Sequence, residues 1–202
     1  MLADDAYDFG SDQDGHGLFR DALSNFATRY PLQLAKPKAK TQIELKRVVY
    51  EIVAHFKTLI EKNGVNELLW DRDRPRKEKA GQRLFFAVAD VYCKANNIDI
   101  TPEADSGGGP VDFKFSSGYD GRLLVEIKLS TGKVVHGYTT QLGVYEEAEK
   151  SFESVFLVID VGKLDSKLKA ILEHKNKQAA KKVRTPEIVV VDAIRKPSAS
   201  RR

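Results

Sequence analysis

GPVDFKFS (residues 109–116) and RLLVEIKLS (residues 122–130) decide the reading of this chain. Both are short and apolar-rich, and the turn compositions SGGG (106–109) and SGYDG (117–121) precede each of them, so they read as consecutive strands. Alternation along the second places Leu124, Glu126, Lys128 and Ser130 on one side and Val125, Ile127 and Leu129 on the other. Glu126 and Lys128 are therefore neighbours in an otherwise apolar strand, where either charge is costly to desolvate without a partner.

The pattern acid-x-Lys is weak by itself, since it recurs at Glu44, Asp112, Glu126, Asp165 and Glu173. Glu44, Asp165 and Glu173 fall on predicted helices, where i and i+2 do not face each other. VDFK at Asp112 and Lys114 competes with VEIK for the same role. VEIK belongs to the longer, more apolar strand, as a central strand should, and choosing it leaves Asp112 as a second carboxylate on the adjoining strand. Asp112, Glu126 and Lys128 then converge. Two carboxylates with the backbone carbonyl of Ile127 make a hard oxygen site suited to Mg²⁺ or Mn²⁺ rather than zinc. A metal there can activate water and neutralise charge on a scissile phosphate, with Lys128 on the attacking water or a phosphate oxygen. The implied chemistry is phosphodiester hydrolysis.

Outward from these strands, Leu45, Val48, Val49, Ile52, Val53, Phe56, Leu59 and Ile60 recur at helical spacing from Ile43 to Lys62, and Asn63-Gly64 supplies a stop. A second helix is expected from about Arg76 to Ala95, with Pro75 in its first turn and Ala80, Leu84, Ala87, Val88, Val91 and Tyr92 on its apolar face. NIDITPE (97–103) is a strand, Tyr138 to Phe152 a helix, SVFLVIDVG (154–162) a buried strand, Asp165 to Lys182 a Lys-rich helix and PEIVVVDA (186–193) a last strand. The fold class is α/β, a mixed central sheet flanked by helices. Residues 1–40 read as an acidic tail, a short helix from Leu18 to Tyr30 and a linker; residues 41–195 as the compact domain; residues 196–202 as a basic tail.

With 202 residues, 42% hydrophobic and 31% charged, the chain can bury a core. A net charge of +4 leans mildly toward polyanions. Cys93 is the only cysteine, which excludes an intrachain disulfide framework and a multi-Cys zinc site and suits a reducing compartment. The absence of a long apolar run and the acidic N-terminus make the expected location cytoplasmic, with no membrane partner. STGK (130–133) lacks the other elements of a phosphate loop. Gly107 to Gly109 precede a strand rather than a helix N-terminus. His136 reads as a loop histidine and Cys93 as a core residue. Eight basic residues between Lys163 and Arg184 could track a phosphate backbone.

GPVDFKFS, LLVEIKLS and QLGVY (141–145) together resemble the core of the PD-(D/E)XK nuclease superfamily in its RecB-like branch, over roughly Pro75 to Gly162. The resemblance implies a restriction-endonuclease-like αβββαβ core with extra N-terminal helices. It implies that Asp112 and Glu126 bind the metal and that Lys128 is catalytic. Gln141 and Tyr145 fit the Gln-x-x-x-Tyr motif that positions substrate or the active-site strand. The histidine that many RecB-like nucleases carry in the preceding helix has no counterpart here; Glu78 or Gln82 would take that place, Glu78 at the metal and Gln82 at the substrate. Nucleic acid, DNA before RNA, is then the expected partner, and repair, restriction or phage defence the setting, alone or in a larger assembly. The alternative is a nuclease-like module that only binds nucleic acid or protein.

Overall fold

The computed structural model describes residues 40–105, 110–118, 121–141 and 153–195. The chain divides into two units, Met1–Pro37 and Lys38–Arg202. The first unit, with the expected acidic tail and Leu18–Tyr30 helix, lies outside the described residues.

Helix α1 spans Gln42–Lys62. Thr41 caps it reciprocally: its hydroxyl accepts the Glu44 N–H at 3.3 Å while the Glu44 carboxylate accepts the Thr41 N–H at 2.8 Å, satisfying two donors left unpaired at a helix start. Asn63 ends the helix, and Gly64, at φ 76°, supplies the left-handed residue that turns the chain away. Leu45, Val48, Val49, Ile52, Val53, Phe56 and Ile60 form the buried stripe.

A 3₁₀ turn (Val65–Leu69) leads into the hairpin of β1 (Trp70–Asp71) and β2 (Arg74–Pro75), where Trp70 pairs with Pro75 and Asp71 with Arg74. Helix α2 then runs Glu78–Asn96. Two sequence expectations are corrected here. Pro75 belongs to the hairpin, because the chain reverses at Arg72 (φ 52°) before the helix can begin. The face of α2 that seals the core is Gly81, Phe85, Ala89 and Cys93, with Leu84, Val88 and Tyr92 along its margin and Val91 67% exposed. Gly81 lets the helix seat closely on the sheet: a Cβ there would lie 2.7 Å from Ile159 Cδ1.

The sheet has the order β3-β4-β5-β6-β7, with β3 Asp99–Asp105, β4 Pro110–Ser117, β5 Gly121–Leu129, β6 Glu153–Asp160 and β7 Glu187–Asp192. The first three strands are antiparallel neighbours, whereas β5, β6 and β7 run parallel. A helical turn (Val134–His136) and a π turn (Gly137–Gln141) follow β5, and helix α3 (Asp165–Ala180) follows β6. Of the helix expected over Tyr138–Phe152, residues 142–152 lie outside the described residues. β5 is buried on both sides. Val125, Ile127 and Leu129 join the core under α1 and α2, and Leu124 joins a second core with Val134, Tyr138, Phe156, Leu164 and Ile171. Among the described residues, no helix is long and apolar enough to cross a membrane.

Cys93 is 1% exposed, and burial, followed by the charges of Asp90 and Asp99, pushes its thiol up to about 12. The neutral thiol is a poor nucleophile. A maleimide reagent at neutral pH is therefore expected to leave the folded protein unlabelled and to label it once denaturant is added; rapid labelling of the folded protein would remove Cys93 from the core.

Candidate functional site

The β4–β5 ladder runs from Ser117↔Gly121 to Phe113↔Val125 and stops there. On the other side of β4, the β3 register passes from Pro102↔Phe113 to Ala104↔Val111, with the intervening Glu103 at φ 51°. Beyond Val125, among the described residues, this edge of β5 has no strand partner, and its backbone N–H groups need other acceptors.

Acidic side chains supply them. Ile127 N–H donates to Asp112 Oδ2 at 2.7 Å, Leu129 N–H donates to Glu78 Oε2 at 3.2 Å, and Asp112 N–H donates to Glu126 Oε2 at 3.3 Å. N–H and C=O of one strand residue point to the same edge, so the Ile127 carbonyl also faces the fork where β4 and β5 part. Gln82 fixes the second oxygen of Asp112, its Nε2 donating to Oδ1 at 2.6 Å. Gly132, whose position would place a Cβ 3.4 Å from Glu78 Oε2, leaves room for that carboxylate.

Lys128 completes the cluster. Its Nζ lies 2.6 Å from Glu126 Oε1 and 3.1 Å from Glu78 Oε1, and donates to the Ile127 carbonyl at 3.4 Å. Burial works against its charge, but Glu126 and Asp112 more than offset that and hold the ammonium above its ordinary range. Glu126 is 2% exposed. Asp112 is pushed up to about 7, by burial first and by the Glu126 carboxylate second, against the pull of Lys128.

A carboxyl group raised by folding binds its proton more tightly in the folded than in the unfolded chain. Its contribution to stability is complete below its ordinary value near 3.8 and is lost as pH rises through about 7. In EDTA, the metal-free protein is expected to lose stability across this window, and Asp112→Asn to flatten the profile. Equal pH dependence of both proteins in urea unfolding would contradict the assignment.

The structure thus brings together Glu78 and Gln82 from α2, Asp112 from β4, and Glu126, Ile127 and Lys128 from β5. The competing Lys114 stands opposite Leu124 in the ladder, whereas Lys128 bonds directly to Glu126. Ser130, which follows Lys128 in the alternation, ties β5 to the end of β6, since its hydroxyl donates to Gly162 O at 2.7 Å and accepts from Val161 N–H at 3.0 Å. His136 is exposed on its helical turn. Gln141 closes the π turn, and Tyr145 lies outside the described residues.

A family model for a domain of unknown function (DUF8371) matches residues 45–163, more than half of the chain. The chain belongs to that family. The DUF8371 match takes in every residue of the cluster, from Glu78 to Lys128. Neither a curated protein nor a solved structure matches the chain.

The donors of this DUF8371 chain are all oxygen: the carboxylates of Asp112 and Glu126, the Ile127 carbonyl and, beyond Lys128, Glu78. Such a set suits Mg²⁺ or Mn²⁺ with water filling the remaining positions. Among the described residues, no three His, Cys, Asp or Glu side chains are grouped to hold a metal by themselves, so an ion here would draw on two carboxylates, the carbonyl and solvent. The lysine ammonium already rests among the oxygens of Glu126, Glu78 and Ile127, which marks the fork as a place that favours positive charge. Three contacts escape the sequence pattern: Gln82 on Asp112, and the two carboxylates that accept the N–H groups of Ile127 and Leu129. They depend on where β4 ends its pairing, which periodicity does not encode.

Proposed function

We propose that this protein is a metal-dependent nuclease that hydrolyses phosphodiester bonds of nucleic acid, with DNA as the first substrate to test. The observation that carries the reading is the meeting of the Asp112 and Glu126 carboxylates and the Lys128 ammonium where β4 and β5 separate. Among the described residues, the succession of α2, three antiparallel strands β3 to β5 and the parallel strand β6 supports the restriction-endonuclease-like architecture that the PD-(D/E)XK resemblance implies.

In this reading Asp112, Glu126 and the Ile127 carbonyl hold Mg²⁺ or Mn²⁺. Such an ion, when bound there, would supply Lewis-acid activation of water and offset negative charge on the phosphate. Lys128 donates hydrogen bonds to the attacking water or to a nonbridging phosphate oxygen, stabilising charge that develops in the transition state. Glu78 acts on Lys128, and Gln82 on Asp112, as positioning residues.

Labelled linear and circular DNA incubated with Mg²⁺, Mn²⁺ or EDTA tests the proposal. Cleavage in either metal and none in EDTA is the expected result. The pairing of Lys128 with both Glu126 and Glu78 favours one second reading, a structural ion cluster in a domain that binds nucleic acid without cutting it. Salt-sensitive binding with no product in any metal would select that reading.

A further inference from the structure

Between residues 71 and 83 lie six cations, Arg72, Arg74, Arg76, Lys77, Lys79 and Arg83, against Asp71, Asp73 and Glu78. The segment carries a net charge of +3. Of these three carboxylates, Glu78 is turned inward onto Lys128 and the Leu129 N–H. The segment is held firmly: Trp70 Nε1 donates to the Ala193 carbonyl at 2.9 Å, Arg76 N–H to the Leu69 carbonyl at 2.8 Å, and Arg76 Nε to the Trp70 carbonyl at 3.0 Å. Residues 71–77 are all exposed.

Arg74, Arg76, Lys77, Lys79 and Arg83 line one groove of about 500 Å³. Lys79 and Arg83 also line an adjoining cavity of about 170 Å³ with a different character, walled by Phe86, Pro102 and Phe113 and reaching Gln82 and Asp112. The rings of Phe86 and Phe113 lie nearly parallel, 12° apart at 6.3 Å. Glu103 at the mouth is paired with Lys79. The cavity is smaller than the roughly 300–1,000 Å³ that encloses a whole drug-sized ligand, and its apolar, aromatic walls suit a single flat ring system.

We propose that the β1–β2 hairpin and the first turns of α2 bind a single strand of nucleic acid, its backbone along the arginine groove and one unpaired base against Phe86. The cations neutralise phosphates without regard to sequence, and an aromatic wall offers a stacking surface that every base can use. A base seated there brings its adjoining phosphodiester to the Asp112 end of the cavity. A paired base, stacked on both faces within a duplex, has no free face for this wall. This names the substrate class of the proposed nuclease and rests on that reading only for what happens after binding.

The test is fluorescence anisotropy in EDTA, where nothing is cut, using the full chain, a labelled oligothymidylate of about 16 nucleotides and a blunt duplex of equal length. Single strand is expected to bind more tightly than duplex. The triple variant Arg74→Gln/Arg76→Gln/Arg83→Gln is expected to weaken binding and to make the salt dependence shallower by about 0.7 for each phosphate contact removed. Phe86→Leu is expected to weaken single-strand binding about tenfold and spare the duplex. Arg83→Gln, at an exposed position, reads the same cavity if Phe86→Leu unfolds. Lys175→Gln/Lys177→Gln on α3 serves as the control and should change nothing. An unaltered salt slope in the triple variant, equal affinity for duplex, or a larger loss from the α3 control overturns the assignment. Cleavage by the wild type combined with any of these retires the binding surface and leaves the nuclease reading intact. Tight single-strand binding with no cleavage in either metal does the reverse.

Discussion

Glu126→Gln is expected to eliminate metal-dependent cleavage while the protein stays folded. Glutamine keeps the size of the side chain and an oxygen to accept the Asp112 N–H that now donates to Glu126 Oε2 at 3.3 Å. It removes the proposed anionic ligand from a position only 2% exposed, where water cannot substitute for the lost charge. The cleavage rate should fall by at least about 10²–10³-fold, as when a preorganised electrostatic partner is removed from a water-poor site. Calorimetric binding of Mn²⁺ should weaken in parallel. Lys128 retains Glu78 at 3.1 Å, so the fold should survive and circular dichroism should match the wild type. Retention of more than a tenth of the wild-type rate (about 1.4 kcal/mol in activation free energy) would exclude Glu126 from the chemistry.

The second large effect is on stability. Lys128→Ala strips the cation from Glu126 and leaves a buried carboxylate whose closest positive partner, at 2.6 Å, is gone. Breaking a buried pair from one side typically costs about 3–5 kcal/mol, which in a protein of this size corresponds to a melting temperature lowered by roughly 6–20 °C. The double variant Glu126→Gln/Lys128→Met should recover most of this loss, because a neutral amide and an apolar chain of similar length need no charge compensation. Both variants should be inactive. The contrast separates two meanings of an inactive Lys128→Ala: unfolding, which the double variant relieves, and loss of a group the reaction needs, which it does not. A melting temperature unchanged by Lys128→Ala would show that the pair is solvated and that Glu126 is less enclosed than its burial indicates.

Much of the architecture was legible from periodicity. The α1 stripe from Leu45 to Ile60, the stop at Asn63-Gly64 and the apolar run of β6 follow from rules that act within a few residues. The two-sided burial of β5 was legible in the same way, because Leu124 and Val125 are both large and apolar. The face of α2 was not. Ala80, Leu84, Ala87, Val88 and Val91 compete with Gly81, Phe85, Ala89 and Cys93 on hydrophobicity alone, and close packing against Ile159 chose the set containing glycine. The basic segment at 71–83 is visible in the sequence, yet a count of cations favours the run from Lys163 to Arg184, which holds eight against six. One of these, Lys167, instead binds the Ser130 and Gly132 carbonyls and holds the end of β5 to α3.

The sequence by itself determined the five strands of the main sheet, the helices α1 and α3 and the three candidate side chains, since alternation alone makes Glu126 and Lys128 neighbours and puts Asp112 one strand away. Only the tertiary structure decided that β4 leaves β5 after Phe113↔Val125 and that Asp112 and Glu78 then take the N–H groups of Ile127 and Leu129. The reason is that a backbone group stripped of its strand partner must find another acceptor or remain buried unpaired. Which side chain meets that need depends on residues dozens of positions away, brought there by the packing of α2 on the sheet.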